Sequence, residues 1–325
     1  MKKKFGVEVL VVCFLVIFFL FQGASHSNAE EQIISNKGDI SILEESDSNL
    51  RAIKSSEAFV VETPPTLSRA GKTELPDDIG FPRTSEGFDY SFETIQPDVN
   101  LNNRAAVNNR QRVSNPNIFP YRASVLIICD FRAKNGKLVR GHGSGSLIGS
   151  NKVVTAAHVV YDRSYGWAET VRVYPAVKNN ATDFDMAYGS ILYTFGGYIQ
   201  STGTSIAAQQ RDVAVVKLNS NLGNSTGWFG YTTAKSSYLR LNGYDGDIDD
   251  GRTLVTRYGT NTWIENSILK YPWLTVGGSS GGGVYNPSNN QLEANHAYGY
   301  SQNNIKTGGG GAKINNAIFD FMSKY

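Results

Sequence analysis

From Ser124 onward the chain is broken into short β-branched runs, each closed within a few residues by Gly, Asn or Ser. That texture predicts strands at 124–128, 144–148, 152–155, 171–174, 213–218, 253–258 and 283–285. Many short strands separated by turn signals point to an all-β sandwich or barrel. The end of the chain differs: Ile314, Ile318, Phe321, Met322 and Tyr325 recur at helical spacing, which predicts an amphipathic helix packed on the body. No repeat of fixed period is evident.

The front of the chain reads differently. Met1-Lys2-Lys3-Lys4 followed by the apolar run 9–21 predicts a secretory signal peptide over 1–29, cut after Ala29 at Ser27-Asn28-Ala29. A retained anchor is the competing reading, although thirteen apolar residues are short for a membrane span. Residues 30–104 are polar, with Pro64-Pro65, Pro76, Pro82 and Pro97, and are expected to be a loosely ordered segment. Glu30 to Asn103 holds 15 acidic and 6 basic residues, whereas Arg104 to Tyr325 holds 13 acidic and 22 basic. Opposed charge suits an acidic pro-segment lying on a basic domain at 105–325; a solvated acidic tail is the alternative. The stretch 100–112, rich in Asn and Arg, is the expected processing region, with Arg104 the first choice. Cys13 falls in the signal, so the exported chain keeps only Cys129, read as a buried and inert thiol.

The chemistry gathers in three places. In Thr275-Val276-Gly277-Gly278-Ser279-Ser280-Gly281-Gly282-Gly283-Val284 a pair of serines is ringed by glycines. Glycine lets a reacting carbonyl approach backbone N–H groups closely. Alone, such a run also describes a flexible loop. Upstream stand Thr155-Ala156-Ala157-His158 and Arg211-Asp212-Val213-Ala214-Val215-Val216. His, Asp, then Ser is one of the chain orders of a serine-protease triad. Asp212 opens a strongly apolar strand, where an unpaired carboxylate would be costly and the His158 ring N–H would satisfy it. Each residue alone could be a packed structural one; the three together favour catalysis. One cysteine and no His pair at ligand spacing argue against a structural zinc site. Gly141-His142-Gly143-Ser144-Gly145 lacks the lysine of a phosphate-binding loop.

These stretches, with Gly243-Tyr244-Asp245-Gly246-Asp247 and His296-Ala297-Tyr298-Gly299-Tyr300, resemble the secreted glutamyl endopeptidases, the V8-protease-like branch of the chymotrypsin fold. The resemblance spans about 108–325. It implies two six-stranded β-barrels with the active site between them. It implies Ser280 as nucleophile (Ser279 being its neighbouring rival), His158 as base and Asp212 as the residue orienting it. It further implies an oxyanion hole from the Gly278 and Ser280 N–H groups, and Thr275 with His296 binding the carboxylate of a P1 glutamate, the residue before the cut bond. In the family the freed terminal amine also helps bind that glutamate. Ser279, Gly282 and Gly283 depart from the usual residues around the nucleophile, and Glu293 would repel a P1 carboxylate if it pointed inward. Residues 104–325 hold only three glutamates against ten aspartates, as suits an enzyme that cuts after Glu.

The leading expectation is therefore a secreted, monomeric serine endopeptidase made as a zymogen. It would act on proteins or peptides and be held by its own pro-segment, with no cofactor, nucleic acid or membrane partner after signal removal. The alternatives are a protease with one narrow protein substrate, like the exfoliative toxins, and an inactive trypsin-fold binding protein.

Overall fold

A computed structural model describes residues 30–44, 51–54, 72–83, 105–203 and 205–325. The signal-peptide reading of 1–29 and the Arg104 processing point lie outside the described residues. Six antiparallel strands close the first barrel: Ser124–Arg132, Leu138–Gly149, Lys152–Thr155, Ala214–Leu218, Ala187–Phe195 and Thr170–Pro175 follow one another round the ring. Thr170–Pro175 pairs with both the first and the fifth of these, which completes the circle. Strand periodicity explains the continuous apolar run at its start. Val125, Ile127, Cys129 and Phe131 face the barrel interior, while Leu126 and Ile128 pack with Tyr174, Tyr244 and Leu254 on the opposite face. Both faces are buried, so the apolar run does not alternate with polar residues.

The second barrel-like sheet is built on Leu239–Gly243, Val255–Gly259, Ile268–Tyr271, Gly283–Asn286, Gln291–Gln302 and Ile305–Lys313. Its seam is spanned by the start of the proposed mature domain. Val107 N–H donates to the Pro272 carbonyl at 2.7 Å, and Leu274 N–H to the Val107 carbonyl at 3.0 Å. Gln111–Arg112 pairs with Val255 and Thr256, and the Asn109 side-chain amide reaches the Tyr258 carbonyl at 2.5 Å. The predicted helix is Asn316–Lys324, capped by the Asn315 side chain accepting from Ile318 N–H at 2.9 Å. It touches both barrels: Phe321 lies 4.6 Å from Phe195 and Phe319 5.0 Å from Tyr231, centroid to centroid.

Each strand expected from the sequence is present, several of them longer. Short helices at Ala157–Val160, Gly196–Gln200, Ile206–Gln210 and Gly223–Thr226 were not anticipated.

The front segment was expected to be loosely ordered; its described stretches include short strands that pair with the barrels. Glu30–Ser35 extends the first barrel from Ala187–Phe195 and forms a hairpin with Ile40–Glu44; Ala52–Ile53 joins the second sheet; Phe81–Pro82 pairs with Leu138–Gly149. The reason is apolar anchoring. Ile33 and Leu43 enter the main core, and Leu75 and Ile79 fill the smaller cluster around Tyr244 and Leu254. Charge opposition is only part of the contact. Glu31 pairs with Arg211 in the anticipated sense, but Arg51 with Asp320 and Arg83 with Asp162 run the other way.

Candidate active site

The strand Lys152–Thr155 delivers the chain into the one-turn helix Ala157–Val160, which carries His158 in its first turn. Asp212 precedes the neighbouring strand Ala214–Leu218, whose Ala214 pairs with Thr155. This register brings the two side chains together. His158 Nδ1 donates to Asp212 Oδ2 at 2.7 Å, and the His158 backbone N–H donates to Oδ1 at 3.0 Å. Tyr298 Oη donates to the same Oδ2 at 2.7 Å. Burial opposes ionisation of Asp212, but the His158 ring and these three hydrogen bonds outweigh it and hold the carboxyl below the usual aspartate range. With Nδ1 donating, the ring is fixed and its Nε2 carries the lone pair. Nε2 is buried and has no partner among the described residues.

Ser280 lies against the same elements. Its carbonyl accepts from Ser144 N–H at 2.7 Å, and Gly281 N–H donates to the His296 carbonyl at 2.7 Å. Gly281 has φ +87°, and a Cβ there would strike the Ser144 carbonyl and Thr155 Oγ1, so only glycine fits beside Ser280. The adjacent serines are distinguished by their partners. Ser279 Oγ donates to the Val276 carbonyl at 2.6 Å and is fully buried, whereas Ser280 Oγ is not committed within the described residues. Gly278 has φ +93°, and Ser144 Oγ donates to its carbonyl at 2.7 Å, which fixes that peptide. The Gly278 N–H, expected in an oxyanion hole, donates to the Arg83 carbonyl at 3.4 Å.

Thr275 and His296 both lie against the glycine strand Ile305–Lys313. His296 pairs with Gly311, and a Cβ on Gly309 would come within 2.7 Å of Thr275 Oγ1. Thr275 Oγ1 is buried without a partner among the described residues. His296 Nδ1 shares a 2.5 Å hydrogen bond with Tyr271 Oη. Burial, with the nearby Arg257 charge, lowers its pKa to about 3, so it is neutral at physiological pH rather than ready to gain charge. Glu293 does not point at this pocket: its Oε2 accepts from Ser236 N–H at 2.8 Å.

The third histidine, His142, is also buried, and burial lowers its pKa to about 4. Both histidines ionise more readily in the unfolded chain, whose ordinary value is 6.5. The unfolded state therefore binds more protons below that value, and stability falls as pH drops from 6.5 toward 4. The expected slope is at most about 1.4 kcal/mol per pH unit for each group. Thermal melting of a Ser280→Ala chain between pH 8 and 5 checks this; a flat melting temperature below pH 6.5 would contradict it.

Tyr298, within one of the quoted motifs, received no role from the sequence; a buried Asp212 needing more than one donor was the available signal. Asp245 is likewise explained by pairing, since its carboxylate meets Arg257 and, at 3.0 Å, Arg110. Among the described residues no three His, Cys, Asp or Glu side chains gather as a metal site. No helix of those residues is long and apolar enough to cross a membrane.

Residues 143–293 match the Trypsin-like peptidase domain. A glutamyl endopeptidase of Bacillus licheniformis is 30% identical over 66% of this chain and 66% of its own length, just under two thirds of that relative. A Bacillus subtilis protein named extracellular metalloprotease is 29% identical over 71% of this chain and 70% of its own length. A solved Glu endopeptidase superposes with TM-score 0.55 at 27% identity, over 67% of this chain and 96% of that one. The Arthrobacter nicotinovorans protease Anisep, at 18% identity and TM-score 0.52, shares the fold over 66% of this chain and all of its own. Two packed β-barrels and these matches make the chain a serine endopeptidase of the trypsin-like, chymotrypsin-fold class. Within that class its resemblance is to the V8-like proteases, through the two glutamyl endopeptidases just named.

Proposed function

We propose that the chain is the precursor of a secreted endopeptidase that cuts after glutamate, less readily after aspartate. Ser280 Oγ attacks the scissile carbonyl and passes its proton to His158 Nε2. The oxyanion that forms is met by the Gly278 and Ser280 N–H groups, each such donor lowering the barrier by about 2.7–4 kcal/mol. His158, held by Asp212, then protonates the leaving amine, and water releases the acyl group by the same route in reverse. The commitment of Ser279 to Val276 supports Ser280 as the nucleophile.

The observation that carries glutamate preference is the buried Thr275 hydroxyl, without a partner among the described residues, against the same glycine strand that His296 pairs with. A carboxylate entering there gives Thr275 the acceptor it lacks, and His296, neutral at physiological pH, would meet it as a hydrogen-bonding group in exchange for its Gly310 backbone partner. Cleavage at Arg104 would free an amine at Ala105, next to Ala106, whose N–H holds the Lys306 carbonyl at 2.7 Å. That end lies on the strap beside Pro272 and Leu274, close in sequence to Thr275, which suits the family's use of the terminal amine.

In peptides that differ only at P1, Glu is expected to exceed Leu by at least about 100-fold in kcat/KM, the discrimination expected when a site's polar groups would be left unpaired. His296→Ala should erase most of that ratio while sparing general turnover. Equal rates on P1 Glu and Leu would remove the acidic pocket. N-terminal sequencing of the secreted protein is expected to give a start between 101 and 113; a start at Glu30 would remove the pro-segment.

A further inference from the structure

Arg83 belongs to the front segment, yet its side chain is only 3% exposed. Its Nε and Nη2 both donate to the His158 carbonyl, at 3.1 and 2.7 Å. Nη2 also lies 2.9 Å from Asp162 Oδ2, and the guanidinium carbon sits 4.5 Å from the centre of the Phe131 ring. Charge, carbonyl and aromatic face together are what a planar cation of this shape selects. Every receptor group comes from the barrel domain. Asp162 is moreover set in advance by its own turn, its Oδ1 accepting from Ser164 and Tyr165 N–H at 2.7 and 3.1 Å. When the front segment leaves, a buried carboxylate oxygen and a carbonyl lose their cation, and an unpaired buried charge is costly.

The backbone around Arg83 follows the cleft. Phe81 and Pro82 run parallel beside Gly141 and His142, Arg83 N–H donates to the His142 carbonyl at 2.7 Å, and the Arg83 carbonyl takes Gly278 N–H. The guanidinium therefore anchors a strand that occupies an oxyanion donor.

We infer that Asp162, the His158 carbonyl and Phe131 form a guanidinium subsite of the cleft, filled by Arg83 in the precursor and by a substrate arginine at a position other than P1 after processing. The substrate half rests on the peptidase reading above.

The first test uses the full-length chain with Ser280→Ala, which prevents self-processing. N-acetyl-arginine methylamide is titrated calorimetrically into this protein, into its Arg83→Met form and into the Arg83→Met, Asp162→Asn form. The Arg83→Met protein is expected to bind at least about tenfold more tightly than the other two, a difference of about 1.4 kcal/mol. The norleucine analogue is expected to show no such difference. Equal affinity in all three, or equal discrimination with norleucine, overturns the subsite. A second arm needs no change at Arg83. Processed enzyme is given glutamyl peptides with Arg or norleucine placed in turn at P2, P1′, P2′ and P3′. Arginine at one of these is expected to raise kcat/KM about tenfold, mainly through KM, with the ratio falling toward one in Asp162→Asn. Hydrolysis without such a ratio at any position overturns the inference. No hydrolysis of any peptide would instead overturn the peptidase reading, and the titration would still judge the subsite.

Discussion

Replacing Ser280 with alanine is expected to lower kcat by a factor on the order of 10⁶. The fold should survive, because Ser280 holds its neighbours through its carbonyl, on Ser144, rather than through its hydroxyl. The control lies one residue away. Ser279 Oγ ties the turn to Val276, so Ser279→Ala should cost about 1 kcal/mol of stability and leave most of the activity. Steady-state kinetics on a glutamyl peptide, with melting curves for both variants, separates the two serines. Strong residual turnover in Ser280→Ala would assign the chemistry elsewhere.

Asp212→Asn is expected to lower kcat by about 10⁴-fold with little change in KM. An asparagine keeps the volume but removes the charge that fixes the His158 tautomer and stabilises the imidazolium formed during turnover. It also disturbs three donors at once, since His158 Nδ1, His158 N–H and Tyr298 Oη all converge on this carboxylate. Tyr298→Phe removes one of the three and leaves the charge, so its loss should be tenfold or less. A drop confined to KM in Asp212→Asn would mean that the residue positions substrate instead. These two expectations test the same constellation from opposite ends, the attacking group and the deepest support of its base.

The first barrel was the most legible part of the sequence because its strands are β-branched and bounded by turn residues. Lys152–Thr155 has the bounds read from the residues alone. Ile305–Lys313 was not legible, since Gly308 to Gly311 carry almost no strand propensity. Space compels them there: a Cβ on Gly308 or Gly311 would strike the Tyr271 or Asn295 carbonyl. For the candidate site, His158 and Asp212 could be paired from the cost of burying a lone carboxylate, and two hydrogen bonds join them. Arg83 and Asp162 could not, because nothing in a proline-broken acidic stretch signals which basic residue will be buried. Nor could composition reveal that Leu75 and Ile79 would serve as core residues; two apolar side chains in a polar run look incidental until their contacts are seen.

The strap from Val107 to Arg112 has a practical side. Because its amides and carbonyls are spent on Pro272, Leu274, Val255 and Thr256, shaving the front end of a chain cut at Arg104, as proposed, should be harmless only until Ala106. Past that point each further loss unzips a join between non-adjacent strands, so aminopeptidase wear during storage would show as sudden leakiness of the second barrel rather than as gradual decline.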